Sequence, residues 1–258
     1  MWAGAWRLLD YNLIVYKRVW KGTAVTSFVT PLLTVVAMGV LLGGFVHVAP
    51  ARLDGAPTYL AFIAPGLVAS HAMTIAFSEM TYPVMGMVKW QKIYFSMIAT
   101  PLSVPDLALA HLAYVAFRVL TACGVFIAIL APFGVYRSMW GALVAVPAQM
   151  LVGLAFAAPV YAWAVGLDNE APFSHLYRLG MVPLTLFSGA FFPVDNLGPA
   201  LGWAARVTPL WHGVDLNRML MLGTVSWPLL AVHVAYLGAL VALGWWLVLR
   251  RLQRRLIG

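Results

Sequence analysis

A chain of 258 residues of which 63% are hydrophobic and 9% charged carries well under half the charge of an ordinary soluble domain, where roughly 25% of residues are charged. That composition excludes a soluble globular protein of this size. The formal net charge of +8 does not point to nucleic acid, because the basic residues are dispersed along the chain instead of gathered on one soluble face.

The first 22 residues place Trp2, Trp6, Leu9, Leu13, Tyr16 and Trp20 at spacings of three and four, opposite Arg7, Asp10, Lys17 and Lys21. This predicts an amphipathic helix lying in the headgroup plane, and its charged segment reads as a retained helix, not a cleaved signal. Beyond it, apolar runs of about 20 residues predict six membrane spans at 24–46, 58–80, 106–130, 139–166, 179–193 and 225–249. The fold class expected is therefore an all-α integral membrane protein forming a single transmembrane domain. Cys123, the one cysteine, falls in the third span, so no intrachain disulfide can form. Pro65, Pro147 and Pro159 lie within spans and predict bends.

Between the second and third spans stands the basic, aromatic insert "KWQKIYFSMIATPLSVPDL", residues 89 to 107. Trp90, Ile93, Tyr94 and Met97 follow helical spacing, with Lys89, Gln91, Lys92 and Ser96 on the remaining faces, predicting a short amphipathic helix. Thr100-Pro101 ends it, and Ser103 with Pro105 starts the next span. Residues 194–222 are too apolar for an ordinary loop and too interrupted by Gly198, Pro199 and Pro209 to cross a bilayer. A re-entrant helical hairpin between spans five and six satisfies that pattern and sets Trp203 and Trp211 near the interface.

With the N-terminus inside, Arg7, Lys17, Arg18, Lys21, Lys89, Lys92, Arg178, Arg250, Arg251, Arg254 and Arg255 face the cytoplasm. Arg52, Arg137, Arg206 and Arg218 face outside. This imbalance predicts cytoplasmic N- and C-termini by the positive-inside rule.

The chain carries no H-E-x-x-H helix, no G-x-S-x-G elbow and no ligand spacing among its six histidines, so no catalytic, cofactor-binding or metal residue is predicted. No glycine precedes any of its four lysines, so it has no phosphate-binding P-loop. Charged groups within spans are costly and informative. Arg118 sits in mid-span, Glu79 near the inner end of span two, and His111, Tyr114 and Arg118 share a face of span three. Arg118 reads first as an interhelical strut. Glu79 has the right charge to pair with it, but the expected span ends set the two several turns apart. Phe187, Phe191 and Phe192 flank the small residues Ser188, Gly189 and Ala190, a pattern that serves close helix contact or an apolar wall equally. Composition and spacing leave a transporter subunit and a passive lipid scramblase or channel both open.

Ser188-Gly189-Ala190, then Leu197-Gly198, then Pro209-Leu210-Trp211-His212, then five residues and Arg218 form a spaced signature. It resembles the permease subunits of ABC-2-type exporters, in the branch of nodulation lipooligosaccharide and daunorubicin-resistance permeases. "YLAFIAPGL" from Tyr59 and "ATPLSVPDL" from Ala99 look like the same branch, whereas Phe187 stands where that pattern expects a smaller or aliphatic residue. The resemblance implies a half-transporter of the bacterial inner membrane. Such a subunit pairs with a second permease copy or a relative among membrane lipids and binds an ABC ATPase subunit that holds ATP and Mg. The insert then takes the place of a coupling helix, with Lys89, Trp90, Lys92, Ile93, Tyr94 and Met97 meeting the ATPase. Phe187, Phe191 and Phe192 become route residues. Pro193, Trp203, Pro209, Trp211, His212 and Arg218 belong to an outer gate, where Pro209, His212 and Arg218 fold and orient the hairpin. The implied cargo is a bulky amphipathic molecule: a glycolipid, a lipid-linked saccharide or a hydrophobic drug, moved by alternating access.

Overall fold

The computed structural model of the chain describes residues 2–41, 43, 45 and 53–258, and among the described residues every regular element is helical. Helix α1, Trp2–Thr34, is extended by a π-helical turn over Val35–Leu41. Helix α2, Tyr59–Met80, continues past a bend at Thr81 through Tyr82–Met85 and π-helical Gly86–Trp90. The remaining runs are α3, Ile93–Ile98; α4, Val104–Leu130; and α5, Met139–Val165. Helix α6 is assembled from Ala171–His175, Leu176–Met181 and Val182–Phe187. Last come α7, Gly198–Val207, α8, Pro209–Leu222, and α9, Trp227–Leu256.

Among the described residues four runs are long and apolar enough to cross a membrane: Tyr59–Trp90, Val104–Phe133, Met139–Val165 and Trp227–Leu256. The other two expected spans differ. The N-terminal helix and the first expected span are one continuous helix, because nothing between Lys21 and the apolar run breaks it: Gly22 is carried within the helix and no proline occurs before Pro31. The end of that span and most of the loop behind it, at 42, 44 and 46–52, lie outside the described residues. The fifth expected span, 179–193, is displaced toward the N-terminus. Pro172 sits in the first turn of α6, and Gly189, at φ 79°, lies in the turn that follows its end at Phe187. Its 17 residues reach about 25 Å, short of a hydrocarbon core of about 30 Å.

Helix α2 is the axial element, buried over 83% of its most apolar stretch against 22% for α9. Thr58 caps it by accepting the Ala61 N–H at 3.1 Å. Helix α5, capped by Ser138 on the Gly141 N–H at 3.0 Å, packs against α2, α4, α8 and α9. Helices α7 and α8 make a helix-turn-helix hinged at Thr208, whose hydroxyl accepts the Trp211 N–H at 3.3 Å. Gly213 of α8 lies against Val152 in the middle of α5, while the Leu220 carbonyl presses on Gly141 at α5's start. Met221 C=O accepts the N–H groups of Arg137 and Ser138 at 3.1 and 3.2 Å. Helix α8 thus begins beside mid-bundle and climbs back to one end, hereafter the hairpin end; α3 and the last turns of α9 mark the opposite, insert end.

Candidate functional site

At the insert end the sequence expectation of one amphipathic helix gives way to two short pieces. Lys92 adopts a left-handed backbone, φ 53°, a conformation uncommon for a residue with a side chain, and it separates π-helical Gly86–Trp90 from α3. Trp90 is consequently turned outward, 53% exposed, whereas Tyr94 is 2% exposed and points into the bundle. Its hydroxyl lies 2.7 Å from His111 Nδ1 and 2.8 Å from the Tyr161 hydroxyl. Burial pushes the Tyr94 phenol well above its ordinary range, so it stays protonated. Ile93 and Met97 are half-buried, while Lys92 and Phe95 are exposed. The Lys89 ammonium donates to the Asp168 backbone carbonyl, and the Asp168 carboxylate pairs with Arg255 at 2.8 Å, so Lys89 is engaged within its own chain. Trp90, Lys92 and Phe95 form the outward surface.

Inside the bundle, Arg118 Nη2 and Glu79 Oε1 lie 3.3 Å apart. The expected mismatch in depth disappears because the α2 run does not end near Met80. It continues to Trp90, which sets Glu79 about three turns, at 3.6 residues each, inside the end of the run. The Arg118 guanidinium also stands 5.3 Å above the Tyr16 ring of α1. His111, on the same face of α4, turns instead to Tyr94 and packs on the Tyr161 ring at 5.2 Å. At the start of α4, Ser103 and Asp106 form the capping box that fixes the helix N-terminus.

The hairpin end is organised around Arg218, 5% exposed. One guanidinium N–H group donates to Gly189 C=O at 2.6 Å and another to the Asp54 carboxylate at 3.3 Å, and the plane lies 4.2 Å from the Phe62 ring centre. Partial burial pushes the Asp54 carboxyl up, and Arg218 opposes that shift. A single side chain thereby ties α8 to α2, to the turn after α6 and to the loop before α2. His212 ties α8 to α9: its Nδ1 is 2.7 Å from His233 Nδ1, and His233 Nε2 is 2.9 Å from Asp215. Tyr236 stacks on His212 at 3.9 Å, and Trp211 sits edge-on to both imidazoles. Pro209 opens α8, Pro193 precedes the 3-10 turn Val194–Leu197, and Trp203 is 71% exposed on α7.

Of the three phenylalanines expected to line a route, Phe187 ends α6, and Phe191 and Phe192 lie in the turn after it. Phe187 lines a groove of about 260 Å³ between α6 and α7, with Leu184, Leu201 and Ala204 among its neighbours. Phe191 and Phe192 are half-buried in the turn, where the Phe191 carbonyl accepts the Tyr59 hydroxyl at 3.2 Å.

Asp54, Asp215, His233 and Tyr161 enter these clusters without having been singled out by sequence. Each comes from a different helix or loop than its partner, so no spacing could reveal it. Only the charge of Asp54 and Asp215 in so apolar a chain was a usable signal. Among the described residues no group of three His, Cys, Asp or Glu side chains could hold a metal ion.

The profile of the ABC-2 type transporter family matches residues 4–222. The chain is 33% identical to nodulation protein J of Rhizobium leguminosarum bv. trifolii, an alignment covering 99% of this chain and 94% of that protein. It is 30% identical to nodulation protein J of Rhizobium meliloti strain 1021 over the same shares. To nodulation protein J of Rhizobium leguminosarum bv. viciae it is 32% identical, over 86% of this chain and 82% of that protein. No solved structure matches the chain significantly. A profile match over most of the chain, relatives similar along almost their whole length, and four apolar helices of spanning length agree on a multi-pass transport subunit: the chain belongs to the ABC-2 type transporter family.

Proposed function

We propose that this chain is the membrane-spanning permease of an ATP-driven exporter that carries a bulky amphipathic molecule, of the glycolipid, lipid-linked saccharide or hydrophobic drug class, out of the cytoplasm or its inner leaflet. The observation that carries this reading is similarity to nodulation protein J along almost the full length of both proteins. The missing P-loop assigns ATP and Mg to a separate ABC ATPase subunit, and Trp90, Lys92 and Phe95 are the side chains that meet it. The permease acts as a dimer in the bacterial inner membrane, with both termini cytoplasmic and α7–α8 re-entering from the outside as a gate. Nucleotide-driven closure of the ATPases shifts the dimer between inward-open and outward-open states in proportion to its differential affinity for the two. Phe187 and the groove between α6 and α7 lie where that route reaches the hairpin.

The test is reconstitution with an ABC ATPase subunit. A fluorescent acylated oligosaccharide is expected to move across liposomes only when permease, ATPase and hydrolysable ATP are all present. Movement at full rate by the purified permease alone would reject the proposal.

A further inference from the structure

Three elements, α3, α4 and α5, meet at one buried chain of hydrogen bonds at the insert end, beside the bend of α2. Pro83 has no N–H, so the carbonyl four residues before it, that of Glu79, lacks its helical donor. The bend at Thr81 follows from this. The ring of His111 lies close to this stretch of the Glu79 backbone. The Tyr94 hydroxyl lies 2.7 Å from His111 Nδ1 and 2.8 Å from the Tyr161 hydroxyl, so one side chain of α3 is hydrogen-bonded to α4 and to α5. Tyr161, Tyr94 and His111 thus form one hydrogen-bonded chain, and Tyr94 and His111 are almost wholly buried.

We propose that Tyr94 is the positioning residue through which displacement of α3 reaches the membrane helices, acting on the α2 bend through His111 and on α5 through Tyr161. The proposal rests on the reading of α3 as the element that meets the ATPase. Tyr94 is suited to this role because α3 is only six residues long, while its hydroxyl engages α4 and α5 at once. His111 lies beside the Glu79 backbone, next to the Glu79–Arg118 ion pair, so a shift at Tyr94 acts on a weakened point of α2 and not on an intact helix.

The experiment uses the complex with its ATPase in lipid nanodiscs. Spin labels at Trp140→Cys and Trp203→Cys, in a Cys123→Ala background, report distance at the hairpin end with and without vanadate-trapped nucleotide. In Tyr94→Phe, ATP hydrolysis is expected to continue within about twofold, while the nucleotide-driven distance change and export per ATP fall about tenfold, equivalent to ~1.4 kcal/mol of lost coupling. His111→Leu should behave alike, and His111→Gln, whose amide can both donate and accept, should recover part of the loss. Tyr94→Phe with the native distance change overturns the inference, as does a proportional fall in hydrolysis and distance change, which a merely structural role produces. If Tyr94→Phe fails to assemble, the His111 pair carries the same test. No nucleotide-driven change in the unsubstituted complex rejects the coupling reading itself.

Discussion

The two ends of the bundle dispose of their polar groups in opposite ways. At the hairpin end Arg218, Asp54, His212, His233 and Asp215 are bonded to one another or to backbone. The insert end does this on its inner side only, through Tyr94, His111 and Tyr161, and leaves Trp90, Lys92 and Phe95 outside. A region that satisfies its own groups behaves as structure, and its substitutions cost folding. A region that leaves apolar and charged groups exposed together is built for a partner, and its substitutions cost assembly.

The sharpest break of that comparison is Gly66→Val. A side chain there would start 2.5 Å from the Ala190 Cα, and backbone cannot yield as a side-chain tip can, so a loss upward of about 3 kcal/mol is expected. Size-exclusion chromatography in detergent should show the monodisperse fraction vanish; a normal yield would mean that α2 and the turn after α6 are not in contact. Next, Arg218→Ala removes the partner of Gly189 C=O and Asp54 together and should cost about 3 kcal/mol in thermal unfolding. Arg218→Lys should regain only part, since an ammonium lacks the planar fork. In the bundle interior, Arg118→Leu and Glu79→Gln, singly and combined, should show a coupling of about 1 kcal/mol; strictly additive effects would dissolve the pair. Least costly to folding are Trp90→Ala, Phe95→Ala and Lys92→Glu, each within about 0.5 kcal/mol. Their ATPase affinity, read by surface plasmon resonance on nanodisc-held permease, should nevertheless fall about tenfold, or ~1.4 kcal/mol. Lys89→Glu is the control between the two behaviours: because Lys89 also holds the Asp168 carbonyl, it should lose stability as well as affinity.

Much of the fold was legible before any coordinates. Apolar runs found the four spanning helices, Gly198, Pro199 and Pro209 marked the helix-turn-helix, and Ser103 with Pro105 marked the start of α4. The run of α2 to Trp90 was not legible, because π-helical turns and the left-handed Lys92 carry no distinctive composition. That error displaced Glu79 and hid its pairing with Arg118. Helical spacing sets Tyr94 on one apolar face with Trp90, but only Tyr94 is buried while Trp90 is turned outward, since the left-handed Lys92 breaks the helix between them. Arg218 and His212 were read as residues that fold the hairpin, but Asp54 and His233, which they meet, lie 164 and 21 residues away.

By itself the sequence determined that this protein is helical and membrane-embedded, since a chain 63% hydrophobic has to satisfy its backbone within each apolar segment. Its missing P-loop and its spaced hairpin signature also pointed to the family. Tertiary structure alone decided which side of each helix turns inward and which charge finds which partner. Helical periodicity separates faces only where polar and apolar residues contrast. Where nearly every face is apolar, the choice passes to shape: the absent Cβ atoms at Gly66 and Gly141 that let backbones touch, the bend at Thr81, and buried polar groups such as Tyr94, Arg218 and His233 that find partners on other elements.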